Sequence, residues 1–589
     1  MEYYRCESPD CEFVTMQEDR ELCPLCGGTA FVPVTEEEIT PRGWLSLCRE
    51  AARAGNQEQA FGFCCRGGED PACLCEQGRR LYSGKGTVRS LEKAADCFER
   101  AAAQGSADGR CLLGLCFEKG EGRPQSWENA IFLYKQAADE NFAPAQCNLG
   151  WCYEFGKGVP MDKKAAAYWY GEAALKKDPR GQCCLAVCYL NGIGVGQDTA
   201  RAVQLYELSA ATGYPPARYA LGELHREGRG VEQDDRRAAA FFRQAAEGGL
   251  DRAQVALAQC LEEGRGVEKD QAQAARWYGA AARQGHAGAQ VAYGLCLEMG
   301  RGVAANKQQA AQWYRRAARR GNPDGACNLG FCFEQGIGVA PSDGEAVRWY
   351  AAAAEHGHAR AMYCLGQCYE NGRGLPRDPV QATELYGMAA ERGSLPAMNR
   401  LGFCFESGTG LPRRPERAVE WYRKAAERGY APAQCNLGWC LESGDGTAKD
   451  LEQAVHWYRA AAEQGDTRGQ CNLGVCYENG IGLEADAEEA VRWYRRAAEQ
   501  GSARAQWYMG LNCEEGKGIE KSDAEAARWY ESAARQGHPQ AQERLGRCYL
   551  YGRGVEKSLP MARKWYRAAA EQGNEDARKM LEFLESSEG

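Results

Sequence analysis

A Gly-x-Gly triplet recurs at Gly84, Gly120, Gly156, Gly192, Gly228, Gly264, Gly300, Gly336, Gly372, Gly408, Gly444, Gly480, Gly516 and Gly552, always 36 residues apart. Fourteen copies without an insertion specify a solenoid, in which each unit buries its apolar face only against its neighbours. The roughly four independent domains that 589 residues would otherwise suggest are therefore not expected.

Each unit reads as two helices. The column that starts at Ser90 holds Ser, Asp or Asn in thirteen of fourteen copies, with Arg414 the exception. Such side chains cap an orphan N–H at a helix start. Ala94 and its equivalents follow, then Phe98 or its equivalents, twelve of them Tyr, then paired Ala residues. Apolar positions at i, i+4, i+7 and i+8 form one helical face. This helix should stop at the Gly105 column, where only Asn141 and Lys177 replace Gly. The helix preceding each Gly-x-Gly reads as in Pro144–Phe155. Its Gly150 column is Gly in twelve copies and Ala at Ala186 and Ala258. A helix-interior Gly costs about 1 kcal/mol against Ala, so its repetition points to a close helix–helix approach.

The segments AQCNLGWCYEFGKGV (145–159) and AVEWYRKAAERGY (418–430) resemble the Sel-one-like repeat (SLR) family, relatives of the tetratricopeptide repeat. The resemblance implies an all-α fold, an α/α superhelical solenoid of about fourteen helix pairs that scaffolds protein complexes. The expected organisation is a zinc-ribbon-like module over 1–40, degenerate capping helices over 41–69, the repeats over 70–573, and a capping helix over 574–589.

Cys6, Cys11, Cys23 and Cys26 form the N-terminal module's signature, with Cys-Pro-Leu-Cys-Gly-Gly as its second half. Four thiolates in two short knuckles suit a tetrahedral zinc, and so short a segment needs such a staple. The pattern resembles a zinc ribbon or a rubredoxin-type knuckle, which leaves iron as the alternative metal. Residues 1–40 carry ten acidic and two basic side chains, which argues against a nucleic-acid-binding ribbon.

The whole chain carries 72 basic and 81 acidic residues, a net charge of −9, so no nucleic-acid partner is expected. No apolar run approaches a membrane span of about 18 residues, and no signal-peptide core fits the charged first twenty residues. A cytoplasmic protein is the expectation. Thirty cysteines would suggest disulfides in a secreted protein. However, many fall five residues apart on one helix, as Cys147 and Cys152 do, and therefore point in different directions. They read as small apolar core residues. Cys64, Cys65 and Cys73 leave a second metal site open. The alternative reading of the chain is a secreted or surface-associated cysteine-rich factor acting on a host or cell-wall ligand.

No histidine pairs with a nucleophile, and no Gly-x-Gly follows a strand or precedes a P-loop Lys, so no enzyme is expected. A partner surface is indicated instead. On the helix before each Gly-x-Gly, the positions of Pro144, Asn148, Trp151 and Phe155 vary while their neighbours do not, and their spacing shares one face. Asn recurs at Asn328, Asn436 and Asn472, and aromatics recur at Phe331, Phe403 and Trp439. In the resembling superhelices this helix lines the concave wall. A protein or extended-peptide groove follows, with aromatic anchors and with Asn amides holding a peptide backbone. The other reading is that these aromatics complete packing between repeats.

Overall fold

The computed structural model describes residues 3–6, 13–16 and 31–586. Among them are thirty-one α-helices and three short strands. They form two compact units, Met1–Ala289 with Gly300–Ala304, and Gln290–Met299 with Ala305–Gly589.

Strands β1 (Tyr3–Cys6), β2 (Val14–Thr15) and β3 (Phe31–Val34) make an antiparallel sheet in the order β2-β1-β3. A short 3-10 helix (Glu36–Glu38) leads into helices α1 (Pro41–Arg53) and α2 (Gln57–Arg66). Sheet and helices share one core, in which Tyr3, Val14 and Ile39 pack with Trp44, Leu47, Cys48 and Phe63. The Tyr3 ring meets Trp44 edge-on at 5.7 Å. Tyr3 and Val14 of the strands thus pack directly on the first helix pair.

From Pro71 onward the helices come in pairs, as in Ala143–Phe155 with Lys163–Leu175, ending with Glu575–Ser586. The expected caps form: Ser90 accepts from the Lys93 N–H and Asp450 from the Gln453 N–H, whereas Arg414 makes no such bond. Asn141 and Lys177 adopt the same left-handed backbone as the glycines of their column, with φ of 60° and 59°. Within Gly-x-Gly the first glycine ends the helix, and the second makes a close approach to the preceding repeat. A Cβ on Gly482, at φ +68°, would lie 2.2 Å from the Leu451 carbonyl oxygen.

The tyrosine column fills the interior of each pair. Tyr134, Tyr350, Tyr458 and Tyr494 are fully buried. In ten copies the phenol donates to a Glu sixteen residues earlier on the partner helix, at 2.6–2.9 Å. The Gly150 column makes room for this ring: a Cβ on Gly438 would sit 2.7 Å from Tyr458 Cδ1. The close approach expected at that column therefore lies between the two helices of one repeat.

Buried glutamines tie repeats together. Gln434 donates to the Ala426 carbonyl of the preceding repeat (3.1 Å) and accepts from Gln464 of its own (2.7 Å).

Candidate functional site

The face that the sequence singled out is on the surface of the first helix of each pair. Trp151 is half-buried and stacks on Trp127, at the start of the preceding helix (Trp127–Asp139, in the previous repeat), with ring centroids 6.3 Å apart. It also touches the Phe155 ring at 5.4 Å. Phe155 is 51% exposed, Trp439 42% and Phe403 39%, whereas Phe331 is half-buried. Much of the aromatic surface at Phe155, Phe403 and Trp439 therefore meets solvent rather than a neighbouring helix.

The asparagines do a different job from the one the sequence suggested. Asn148 is buried; its Nδ2 donates to Cys111 Sγ (3.4 Å), and its Oδ1 accepts from Arg180 Nη1 (2.8 Å). Asn436 bonds to Asn399 (2.9 Å) and Arg468 (3.3 Å), and Asn472 to Cys435 Sγ (3.7 Å) and Arg504 (3.0 Å). Asn328 accepts from Arg360 at 3.5 Å. These amides clip one repeat to the next: each Oδ1 accepts from an arginine of the following repeat, and the Nδ2 of Asn148, Asn436 and Asn472 donates to the preceding one.

The sequence reading missed the arginines. Arg180, Arg360, Arg468 and Arg504 are exposed and, among the described residues, none forms an ion pair. Elsewhere inter-repeat arginines do so, as in Arg79–Asp108 (2.6 Å), Arg413–Asp445 (2.7 Å) and Arg544–Glu514 (3.4 Å). Two also cover rings: Arg360 lies 5.4 Å from the Phe331 centroid and Arg504 5.7 Å from that of Tyr508. A sequence signal existed. Each Asn of the Asn148 column has an Arg 32 residues later, whereas among the other copies only Ala220 does, with Arg252.

With this geometry the comparisons with known proteins agree. The Sel1 repeat model matches residues 73–106, 107–142, 143–178, 179–214, 215–250, 251–286, 287–322, 323–358, 359–394, 395–430, 431–466, 467–502, 503–538 and 539–574. The chain belongs to the Sel1 repeat family. Sel1 repeats generally mediate protein–protein interaction. Among solved structures, it is similar to a protective antigen present in uropathogenic Escherichia coli strains, which displays an SLR fold. The two are 31% identical with a TM-score of 0.60, over 76% of this chain and 97% of that one. A Sel1 repeat protein from Oxalobacter formigenes is 33% identical, with a TM-score of 0.41, over 52% of this chain and 89% of that one. Cysteine-rich protein B of Helicobacter pylori is 28% identical, with a TM-score of 0.20, over 23% of this chain and 96% of that one. No curated protein matches the chain.

The Sel1 cysteines are core residues. From Cys48 to Cys548 most of them are buried. Burial pushes the Cys111 and Cys327 thiols up to about 12, which leaves them protonated and unreactive at neutral pH. Cys64 and Cys73 are buried and Cys65 is exposed. No three His, Cys, Asp or Glu side chains among the described residues converge as a metal-ligand set.

Three histidines cap Sel1 helices: Nδ1 of His286, His358 and His538 accepts from a backbone N–H three residues on, at 3.1–3.3 Å. His225 is buried against Phe241, its ring stacked at 5.7 Å. No helix among the described residues is long and apolar enough to cross a membrane. Of the expected metal ligands, Cys6 ends β1, and Cys11, Cys23 and Cys26 lie outside the described residues.

Proposed function

We propose that this Sel1 repeat protein is a cytoplasmic, non-enzymatic scaffold or adaptor that holds a protein or extended peptide along the first-helix face of its repeats. The observation that carries this reading is the recurrent solvent-facing aromatic on that face: Phe155, Phe403 and Trp439 expose between 39% and 51% of their surface. Large aromatics left in water at repeating positions are unfavourable for folding alone and are enriched where partners dock. Stacked repeats extend such a face well beyond one short pocket, which favours an elongated ligand over a small molecule.

The test compares Trp439→Ala and Trp151→Ala with the native protein in affinity capture, with quantified mass spectrometry and thermal melting alongside. Partners lost from the Trp439→Ala capture at an unchanged melting temperature support the reading. Full capture by a destabilised variant would place the ring in the fold and the binding surface elsewhere.

The N-terminal cysteines carry a second, structural proposal: one zinc held by Cys6, Cys11, Cys23 and Cys26. Its support is the donor set, four cysteines in two knuckles, the second being Cys-Pro-Leu-Cys. Elemental analysis of gel-filtered protein should give one zinc per chain; iron or no metal refutes it.

A further inference from the structure

The first-helix face of the second unit carries cations that the fold orients but does not neutralise. Arg468 donates from Nη1 to Asn436 Oδ1 at 3.3 Å, and Arg504 from Nη1 to Asn472 Oδ1 at 3.0 Å. Among the described residues, the other hydrogen bond of the Arg468 guanidinium goes from Nη2 to the Pro432 carbonyl at 3.5 Å. Asp466, close by in the chain, caps its own helix through the Gly469 N–H at 2.8 Å. Each guanidinium has five N–H donors in a planar fork, so most stay available to a ligand.

The choice of amide over carboxylate matters here. An Asp at position 436 or 472 could accept the same hydrogen bond and would cancel the charge; both positions are Asn. In the same unit Arg400, Arg413 and Arg544 pair with Glu370, Asp445 and Glu514. A chain with a net charge of −9 thus has ample carboxylates, yet leaves this row unpaired. Exposed Trp439 and the Tyr508 ring beneath Arg504 flank it with apolar surface.

We propose that Arg468 and Arg504 bind the carboxylates of an acidic, extended polypeptide segment laid along this face. The inference rests on the reading of the first-helix face as the binding surface and names the chemistry of its partner. Helices of successive repeats pack about 10 Å apart. In a polyproline II segment three residues advance about 9 Å and return the side chain to the same side. Acidic residues three apart, with apolar side chains between them reaching Trp439, therefore fit the spacing. A guanidinium held in place by its clip loses little freedom on accepting a carboxylate, and the planar fork suits bidentate pairing.

The test uses the full chain and a fluorescein-labelled peptide of repeating Glu-Leu-Ser, about a dozen residues long, followed by fluorescence anisotropy. A matched peptide carries Gln for every Glu, and an oligo-dT of similar length serves as competitor. The expected result is binding of the Glu peptide at least about tenfold tighter than the Gln peptide. R468Q/R504Q should remove that difference, while R417Q/R492Q, on the second helices, should preserve it. Asn472→Asp, which keeps every cation but supplies an internal carboxylate, should weaken the Glu peptide as well and guards against misfolding of the double variant. Equal affinity for the two peptides, an unaffected R468Q/R504Q, or no binding of the Glu peptide overturns the inference. Displacement by oligo-dT below the peptide's own concentration does so too, in favour of nucleic acid. If both peptides bind alike and both are lost with Trp439→Ala, the charge inference falls while the first-helix face stands as a peptide surface.

Discussion

Tyr458 donates its phenolic hydrogen to Glu442 at 2.6 Å, from the second helix of a repeat to the first. The ring is fully buried, and burial together with the carboxylate pushes the phenol far above its ordinary range, so it stays a donor at any working pH. The two copies with Phe in this column, Phe98 and Phe242, have Tyr82 and Arg226 where the Glu would be. The acceptor is thus lost wherever the donor is lost. Tyr458→Phe should destabilise its repeat by about 1.5–3 kcal/mol, because it strands a charged acceptor. Adding Glu442→Leu should recover part of that loss, since Leu190 and Leu550 occupy the position naturally. Urea titration of the single and double variants measures the coupling, and strictly additive effects would contradict it.

Gly438 lies under the same ring. Gly438→Leu drives a side chain into a space where even a Cβ would come within 2.7 Å of Tyr458. A loss of about 1–3 kcal/mol is expected. Gly438→Ala should be milder, as Ala258 coexists with the intact Tyr278–Glu262 pair at 2.9 Å. Solenoid units feel chiefly their neighbours, so hydrogen exchange should speed up in the repeat of Gly438 and those beside it. Uniform loss of protection across all repeats would rule out local coupling.

The architecture was legible because the period, the Ser/Asp caps and the left-handed glycines are local signals repeated in fixed columns. The pairings were not. Tyr458 and Glu442 are sixteen residues apart across a turn, and Asn472 and Arg504 are 32 apart across two. Neither separation is a helical period, so face-by-face reading does not connect them; only co-occurrence between columns does. The same limitation explains the asparagines. Their spacing with Trp151 correctly marks one helical face, but the amides on that face turn along the stack to the next repeat. At the N-terminus, the cysteine pattern suggested a self-contained module. Yet Tyr3 and Val14 complete the core of the first helix pair, which contacts no apolar pattern within residues 1–40 alone could reveal.

Lys177 occupies a left-handed backbone position at φ 59° that twelve other copies assign to Gly. A side chain there costs about 1–2 kcal/mol in backbone sterics. Lys177→Gly should therefore raise the stability of its repeat, offset in part by the greater freedom of Gly in the unfolded chain. Thermal melting or local hydrogen exchange would show it; an unchanged or lower stability would mean that the lysine side chain makes a compensating contact.

His538 links stability to pH. Its Nδ1 accepts from the Ala541 N–H at 3.3 Å, and its ring stacks on Trp507 at 5.5 Å. Burial, and then the Arg504 charge, hold its pKa below the ordinary 6.5. The folded state therefore favours the neutral ring, which alone can serve as the cap acceptor. Above about pH 6.5 the unfolded chain is neutral as well, and the cap contributes fully. As the pH falls below that value the unfolded state takes up the proton first. The contribution then shrinks until the folded histidine titrates too. His538→Asn should keep the cap without the proton, since Asn322 already caps at the same column by accepting from the Gly325 N–H at 2.8 Å. Melting temperatures of the two proteins should differ least near neutrality and diverge between pH 6.5 and 5, with the native chain losing more. Parallel curves across that interval would show that the imidazole titrates alike in both states, and the cap would then carry no pH dependence.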